Sequence, residues 1–180
     1  AHQSNQLVVT TMAQSLAVSL VAISLFIALV YRSVRLAIIS IIPNLLPIVI
    51  ALGVSGWFGI DMRIGVIMVF CAGIGLAVDD SIHLITRFQQ ERRAAPNLSI
   101  GEHLHRSLRS TGKALVITTA VLAVGALSFL PSNFQSMSDV GILLTTIVVS
   151  ALIADLFLFP HLLERFLPQT VAETSAPPSR

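Results

Sequence analysis

Five apolar stretches of about 20 residues each, at about 13–31, 36–58, 64–86, 114–130 and 140–162, dominate this sequence, and each can cross a hydrocarbon core roughly 30 Å thick. Lipid offers the backbone no hydrogen-bond partners, so segments of this kind must be helical. The expected fold is therefore all-α, a polytopic transmembrane bundle of five spans. Composition agrees: 54% of the 180 residues are hydrophobic, only 11% are charged, and the mean hydropathy is +0.86. Such a chain is too apolar for a disordered segment, a nucleic-acid-binding domain or an ordinary cytosolic enzyme.

The basic residues orient the spans. Threading five spans places Arg32, Arg35, Arg87, Arg92, Arg93, Arg106, Arg109, Lys113, Arg165 and Arg180 on one side and Arg63 alone on the other. By the positive-inside rule the first side is cytoplasmic, so the N-terminus lies outside and the C-terminus inside. Residues 1–12 then read as the end of an extracytoplasmic segment and 13–167 as the membrane domain, with a cytoplasmic loop at 87–112. The tail 168–180, with Pro177, Pro178 and several Ser and Thr, reads as disordered and cytoplasmic. The chain opens on Ala1, with no methionine and no basic leader region, so the expectation is a piece of a longer protein. Cys71 is the one cysteine. It forms no disulfide within the chain and reads as a small buried hydrophobe.

Two connecting features have local signatures. The second span contains Pro43 and Pro47, each lacking a backbone donor, so it should be kinked and packed against protein. In the long loop, Ser99 and Glu102 match a capping box, and Ile100, Leu104 and Leu108 recur opposite Arg106 and Arg109. This describes either a short amphipathic helix on the inner membrane surface or a solvated connector. His103 and His105 lie too close to Arg106 and Arg109 to favour a metal site.

The chemistry concentrates in the third span. From Ile64 to Val78 there are 15 apolar-rich residues, a rise of only about 22 Å as a helix. The span must continue through Asp79, Asp80 and His83, which places them in the cytoplasmic half of the membrane. Each ionised Asp near a helix centre costs ~2.5–3.5 kcal/mol on insertion scales. Ala72, Gly75, Asp79 and His83 share one stripe, with Asp80 about 100° round beside Gly73 and Ala77. Gly73 and Gly75 let another helix approach closely. No Lys or Arg falls inside a span to act as counter-ion. Burial and mutual repulsion disfavour two ionised carboxylates, so a proton should bind reversibly there, with His83 one turn on as a second carrier. The alternative is that the aspartates are hydrogen-bonded packing residues. Asp155 in the fifth span reads equally as a second relay member or a packing residue. Thr118 and Thr119 offer hydroxyls to a proton path, or bond back to the carbonyls four residues earlier. Asp139 reads as the cap of the fifth span.

In order, Arg32-Ser-Val-Arg35, Ile42-Pro-Asn-Leu-Leu-Pro47, Gly75-Leu-Ala-Val-Asp79-Asp80-Ser-Ile-His83, Arg87-Phe-Gln-Gln-Glu91, Gly112-Lys-Ala-Leu-Val-Ile-Thr-Thr119 and Ala154-Asp-Leu-Phe-Leu-Phe-Pro160 form a pattern. This set resembles the C-terminal membrane half, helices eight to twelve, with helices two to six of the similar first half as the alternative, of a resistance-nodulation-division exporter of the MmpL-like, hydrophobe/amphiphile type, related to Patched and sterol-sensing proteins. The resemblance implies two similar six-helix halves with large extracytoplasmic domains, which are absent here, and is compatible with a homo-oligomer. It also implies that Asp79 and Asp80 are the acids that couple proton entry to export. The drug-efflux branch carries a cation deep in the fourth span; its absence here points to the lipid-exporting branch. The resulting expectation is the membrane half of a proton-motive-force-driven exporter of hydrophobic or lipid-like substrates in the bacterial inner membrane. The alternative is a sterol-sensing, Patched-like lipid-binding module that does not pump. Nothing in the sequence suggests catalytic residues, a metal, a cofactor or a nucleic-acid partner.

Overall fold

A computed structural model describes residues 34–166 throughout and, ahead of them, residues 10–11, 14–15, 17–19, 21–22, 25–26 and 28–29, which are helical. Much of the first expected span, together with 1–9 and the tail 168–180, lies outside the described residues. Every regular element among the described residues is helical. These are α1 (Val34–Phe58), α2 (Ile64–Ala94), α3 (Ile100–Leu127) and α4 (Gln135–Ile153), with α4 running through a π turn (Ala154–Leu158) into α5 (Phe159–Phe166). Four helical stretches are long and apolar enough to cross a membrane, the last covering Gln135–Phe166. They overlap the second to fifth expected spans.

The rod formed by α4 and its continuation is the centre of the bundle, with α1, α2 and α3 all packed on it. Small residues make this close approach feasible. A Cβ added to Gly73 of α2 would stand 2.8 Å from Ile147 of α4, and one added to Gly141 of α4 would stand 2.6 Å from the carbonyl oxygen of Ala126 in α3. Gly75 meets nothing within 4 Å and faces away from the bundle.

Two apolar clusters form the core. One gathers Leu36, Ile39, Leu84, Phe88, Leu104 and Phe159 at the Arg-rich end. The other gathers Ile48, Val69, Phe70, Ile74, Leu143 and Ile147 further along. On α1 the clusters leave a gap around Asn44, on α2 around Ser81, and on the central rod around Asp155.

Several local readings need correction. The loop 87–112 shrinks to 95–99, because α2 extends to Ala94 and α3 starts at Ile100. The Ser99 capping box is present, with the Glu102 N–H donating to Ser99 Oγ at 3.3 Å and the Ser99 N–H to Glu102 Oε2 at 3.1 Å. The helix it caps is no separate surface helix. Its first turns bury Ile100 and Leu104 in the core and continue into the fourth span. Gly101 and Gly112 are the weakest helix formers on the way, each at a cost of about 1 kcal/mol relative to Ala, too little to break the helix. The fifth span starts early, at Gln135, so Asp139 lies inside α4 and buried; the N-cap is Phe134, with no side-chain cap bond. Cys71 is exposed on the outer face of α2. Helix α1 winds without interruption through Pro43 and Pro47, both fully buried.

Thermal or chemical unfolding in micelles should separate the close-packed glycines from the open one. Gly141→Ala and Gly73→Val should each destabilise by about 1–3 kcal/mol through overpacking, whereas Gly75→Ala, in open space, should leave stability unchanged or raise it by up to about 1 kcal/mol. Ser99→Ala should cost about 0.5–2 kcal/mol, and hydrogen exchange should show the loss confined to the first turns of α3.

Candidate functional site

Helix α2 carries polar groups on two opposed faces. Residues two apart on an α-helix are about 200° apart, so Asp79 and Ser81 point in nearly opposite directions. The structure places Asp79 and His83 outward, with side chains 67% and 64% exposed, and Ser81 inward at 0%. Asp79 Oδ1 and His83 Nε2 lie 3.5 Å apart, one helical turn along. Cys71, Ala72 and Gly75 continue the same outer stripe, all exposed. The described residues therefore leave Asp79 uncovered, where a bundle interior was expected for it.

Asp80 is half-buried and turns to a cavity of about 530 Å³ between α2, α3 and α4. Asp79, His83, Thr118 and Thr119 also line it. The two acids, the histidine and both threonines thus open on one space. Thr118 Oγ1 donates to the carbonyls of Ala114 and Leu115 at 3.1 and 3.0 Å, the local bonding that helical threonine usually makes. Thr119 is buried in the cavity wall.

Of the two acids buried among the described residues, Asp139 and Asp155, the deeper is Asp155, 2% exposed against 8%. It sits in the π turn, where the Phe159 N–H reaches back five residues to the Ala154 carbonyl. Pro160 explains the turn: it has no N–H for the carbonyl four residues back, and its ring crowds that carbonyl, so the helix widens. Ser81 Oγ lies 2.8 Å from Asp155 Oδ1 and 3.2 Å from Asn44 Oδ1. Asn44 is 2% exposed and its Nδ2 donates to the Ser40 carbonyl at 2.7 Å. Most helical hydroxyls here behave differently. Ser40, Ser55, Thr86, Ser107 and Ser150 each bond to a carbonyl three or four residues earlier on their own helix. Ser81 instead joins two other elements.

Asn44 and Ser81 were not singled out by sequence. Their signals were present: an Asn between two prolines of an apolar span, and a Ser on the face of α2 opposite Asp79. Among the described residues no group of three His, Cys, Asp or Glu side chains could hold a metal ion. His103 is buried edge-on to Phe88, with ring centroids 6.5 Å apart.

The sequence model of the MMPL family matches residues 2–166. A membrane protein of Streptomyces coelicolor is 37% identical over 97 residues, covering 52% of this chain and 13% of that protein. A membrane protein of Methanocaldococcus jannaschii is 23% identical over 159 residues, covering 88% of this chain and 40% of the other. The hopanoid transporter HpnN of Burkholderia multivorans is 30% identical over 101 residues, covering 56% of this chain and 11% of the transporter. The chain therefore spans less than half the length of each of these relatives. Four apolar helices, the motifs in their order and a family match over most of its length make this chain a multi-pass membrane protein that belongs to the MMPL family.

Proposed function

We propose that this chain is the membrane part of a proton-motive-force-driven exporter of hydrophobic or lipid-like molecules. It would sit in the bacterial inner membrane with five spans, its N-terminus outside and its C-terminus in the cytoplasm. The observation that carries the reading is the outward stripe of α2, where Asp79 and His83 stand exposed in the middle of an apolar helix and Asp80 opens on the adjoining cavity.

Lipid cannot cover that stripe cheaply. Each ionised Asp there costs ~2.5–3.5 kcal/mol, while one proton crossing 100 mV delivers about 2.3 kcal/mol. The two quantities are comparable, so binding a proton at the stripe can change which helices pack against it. The small residues Ala72 and Gly75 leave room for such a helix to come close, and the other half of a longer protein would supply it. Asp79 and Asp80 take the proton and His83, 3.5 Å from Asp79, passes it along α2. Thr118 and Thr119 line the same cavity. The lipid-like substrate class is supported by the likeness to a hopanoid transporter and by spans free of Lys and Arg.

The test uses the full-length protein in proteoliposomes with an imposed proton gradient and a fluorescent lipid analogue. Asp79→Asn and Asp80→Asn should each cut gradient-driven movement of the probe at least ten-fold, and a protonophore should do the same to the unmodified protein. Probe binding that persists without any gradient-dependent movement would favour a Patched-like lipid-binding module. Undiminished transport in both variants would refute the relay.

A further inference from the structure

Asn44 from α1, Ser81 from α2 and Asp155 from the π turn form a polar layer between the two apolar clusters, and each is at most 2% exposed. In such a layer polar atoms need partners, so the hydrogens can be counted. The Ser40 carbonyl is purely an acceptor and lies 2.7 Å from one edge of the Asn44 amide, so that edge is the NH₂ and the other is the oxygen. This oxygen is 3.2 Å from Ser81 Oγ, which is itself 2.8 Å from Asp155 Oδ1. A serine hydroxyl carries one hydrogen. With Asp155 ionised, the two contacts share that single hydrogen, and one of them brings two acceptors together unpaired. With Asp155 protonated there are two hydrogens for two contacts. Its O–H donates to Ser81, and Ser81 donates to Asn44.

We propose that Asp155 binds a proton which closes this layer as a latch joining α1, α2 and the π turn, and that losing the proton opens it. The latch acts through packing and is independent of what the molecule moves. Its surroundings are almost free of other charges. In α2 the adjacent charged residue is Asp80, next to Ser81 in the chain and turned to the cavity. In α1 the charged residue is Arg35, which lines a separate pocket with Ile38, Ile42 and Phe166. Lys113 of α3 lies across another pocket against Leu156. In α5, His161 and Arg165 are exposed and Glu164 sits beside Gly101. Within α4 the other acid is Asp139, 16 residues away. The proton exchanges through the cavity that Asp80 and Ala151 line, Ala151 being one helical turn before Asp155.

Backbone weakness lies where the latch grips. Pro43 and Pro47 flank Asn44 and each withholds a helical hydrogen bond, and Asp155 is in a widened turn. When Ser81 turns to ionised Asp155, the Asn44 oxygen loses its donor, and α1 can bend at its prolines to find water or another partner.

The experiment uses the full-length protein in lipid nanodiscs and two readouts. Infrared spectroscopy should show a protonated carboxyl band that titrates with pH, is lost in Asp155→Asn, shifts in Ser81→Ala, and persists when Asp79 and Asp80 are both replaced by Asn. Spin labels on Leu45 of α1 and Gln90 of α2, with native cysteines including Cys71 replaced, should report one short distance at low pH and a second, longer one at high pH. The amide in Asp155→Asn donates to Ser81 as the protonated acid does, so this variant should keep the short distance at every pH. A titrating carboxyl band that is the same in the protein lacking Asp79 and Asp80 whether or not Asp155→Asn is added overturns the proposal. So does a pH-dependent lengthening that the same variant leaves intact. The variant with both Asp79 and Asp80 replaced separates the two sites: if transport fails in it while the band and the distance change remain, the latch stands apart from the export relay.

Discussion

Hydrophobic contact is non-directional, and between helices in lipid it supplies little net attraction, since acyl chains are as apolar as the side chains they replace. The two leucine-, isoleucine- and phenylalanine-rich clusters of this bundle would tolerate sliding of one helix along another. The Ser81 hydroxyl does not. It has one position from which Asn44 and Asp155 are both within reach, and that position fixes the height of α1, α2 and the central rod at once. The apolar clusters lie above and below this layer, so the register set by three polar side chains decides which aliphatic groups meet. Interhelical hydrogen bonds of this kind contribute only about 0.6–1.7 kcal/mol each. Their weight comes from direction, because the alternative registers leave a buried carboxyl and amide without partners.

Helix α2 serves both this layer and the opposed acidic stripe because its sequence changes character every residue or two. Gly73, Ile74, Ala77, Val78 and Ser81 are buried against the bundle, while Cys71, Ala72, Gly75, Asp79 and His83 face away. On the inner face Gly73 gives way to Ile147 and brings α4 close. On the outer face Gly75 leaves empty space. The same residue type at a spacing of two thus does opposite things, and a single helix links the inward hydroxyl to the outward carboxylate through a rigid backbone. Any movement of α2 that accompanies proton binding at Asp79 or Asp80 must carry Ser81 with it.

Much of this architecture was legible in the sequence, and the failures have physical causes. Apolar length located four helices because an unbroken apolar run of about 20 residues satisfies its own backbone in lipid only as a helix, and the Ser99 signature located the start of α3 because its bonds are local. Helix ends were misjudged where polar residues continue a helix past the apolar run. Arg87 to Ala94 stays helical in α2, and the piece around Leu104 stays joined to the fourth span because Gly112 is too weak a breaker. Cys71 was misplaced because an apolar neighbourhood does not say which face of a helix meets protein. The stripe of Asp79 and His83 came from helical periodicity alone, whereas the pairing of Ser81 with Asn44 and Asp155 joins residues 37 and 74 apart in the chain. No local pattern encodes a contact of that range. The π turn had a visible cause in Pro160, but its consequence for Asp155 depends on what the neighbouring helices present.

The π turn and the two prolines of α1 belong together mechanically. An unbroken α-helix resists bending because every turn carries its full set of backbone hydrogen bonds. Pro43 and Pro47 each remove one, and the turn at Ala154–Leu158 replaces four-residue spacing with five. A stiff bundle with no such points would answer a change in charge by straining its core, which close packing makes costly. Here the weakened stretches lie at the level of the polar layer, so rearrangement there leaves both apolar clusters intact. Protonation changes a count of hydrogens by one. The helices translate that into motion because their weakest bonds are placed where the count changes.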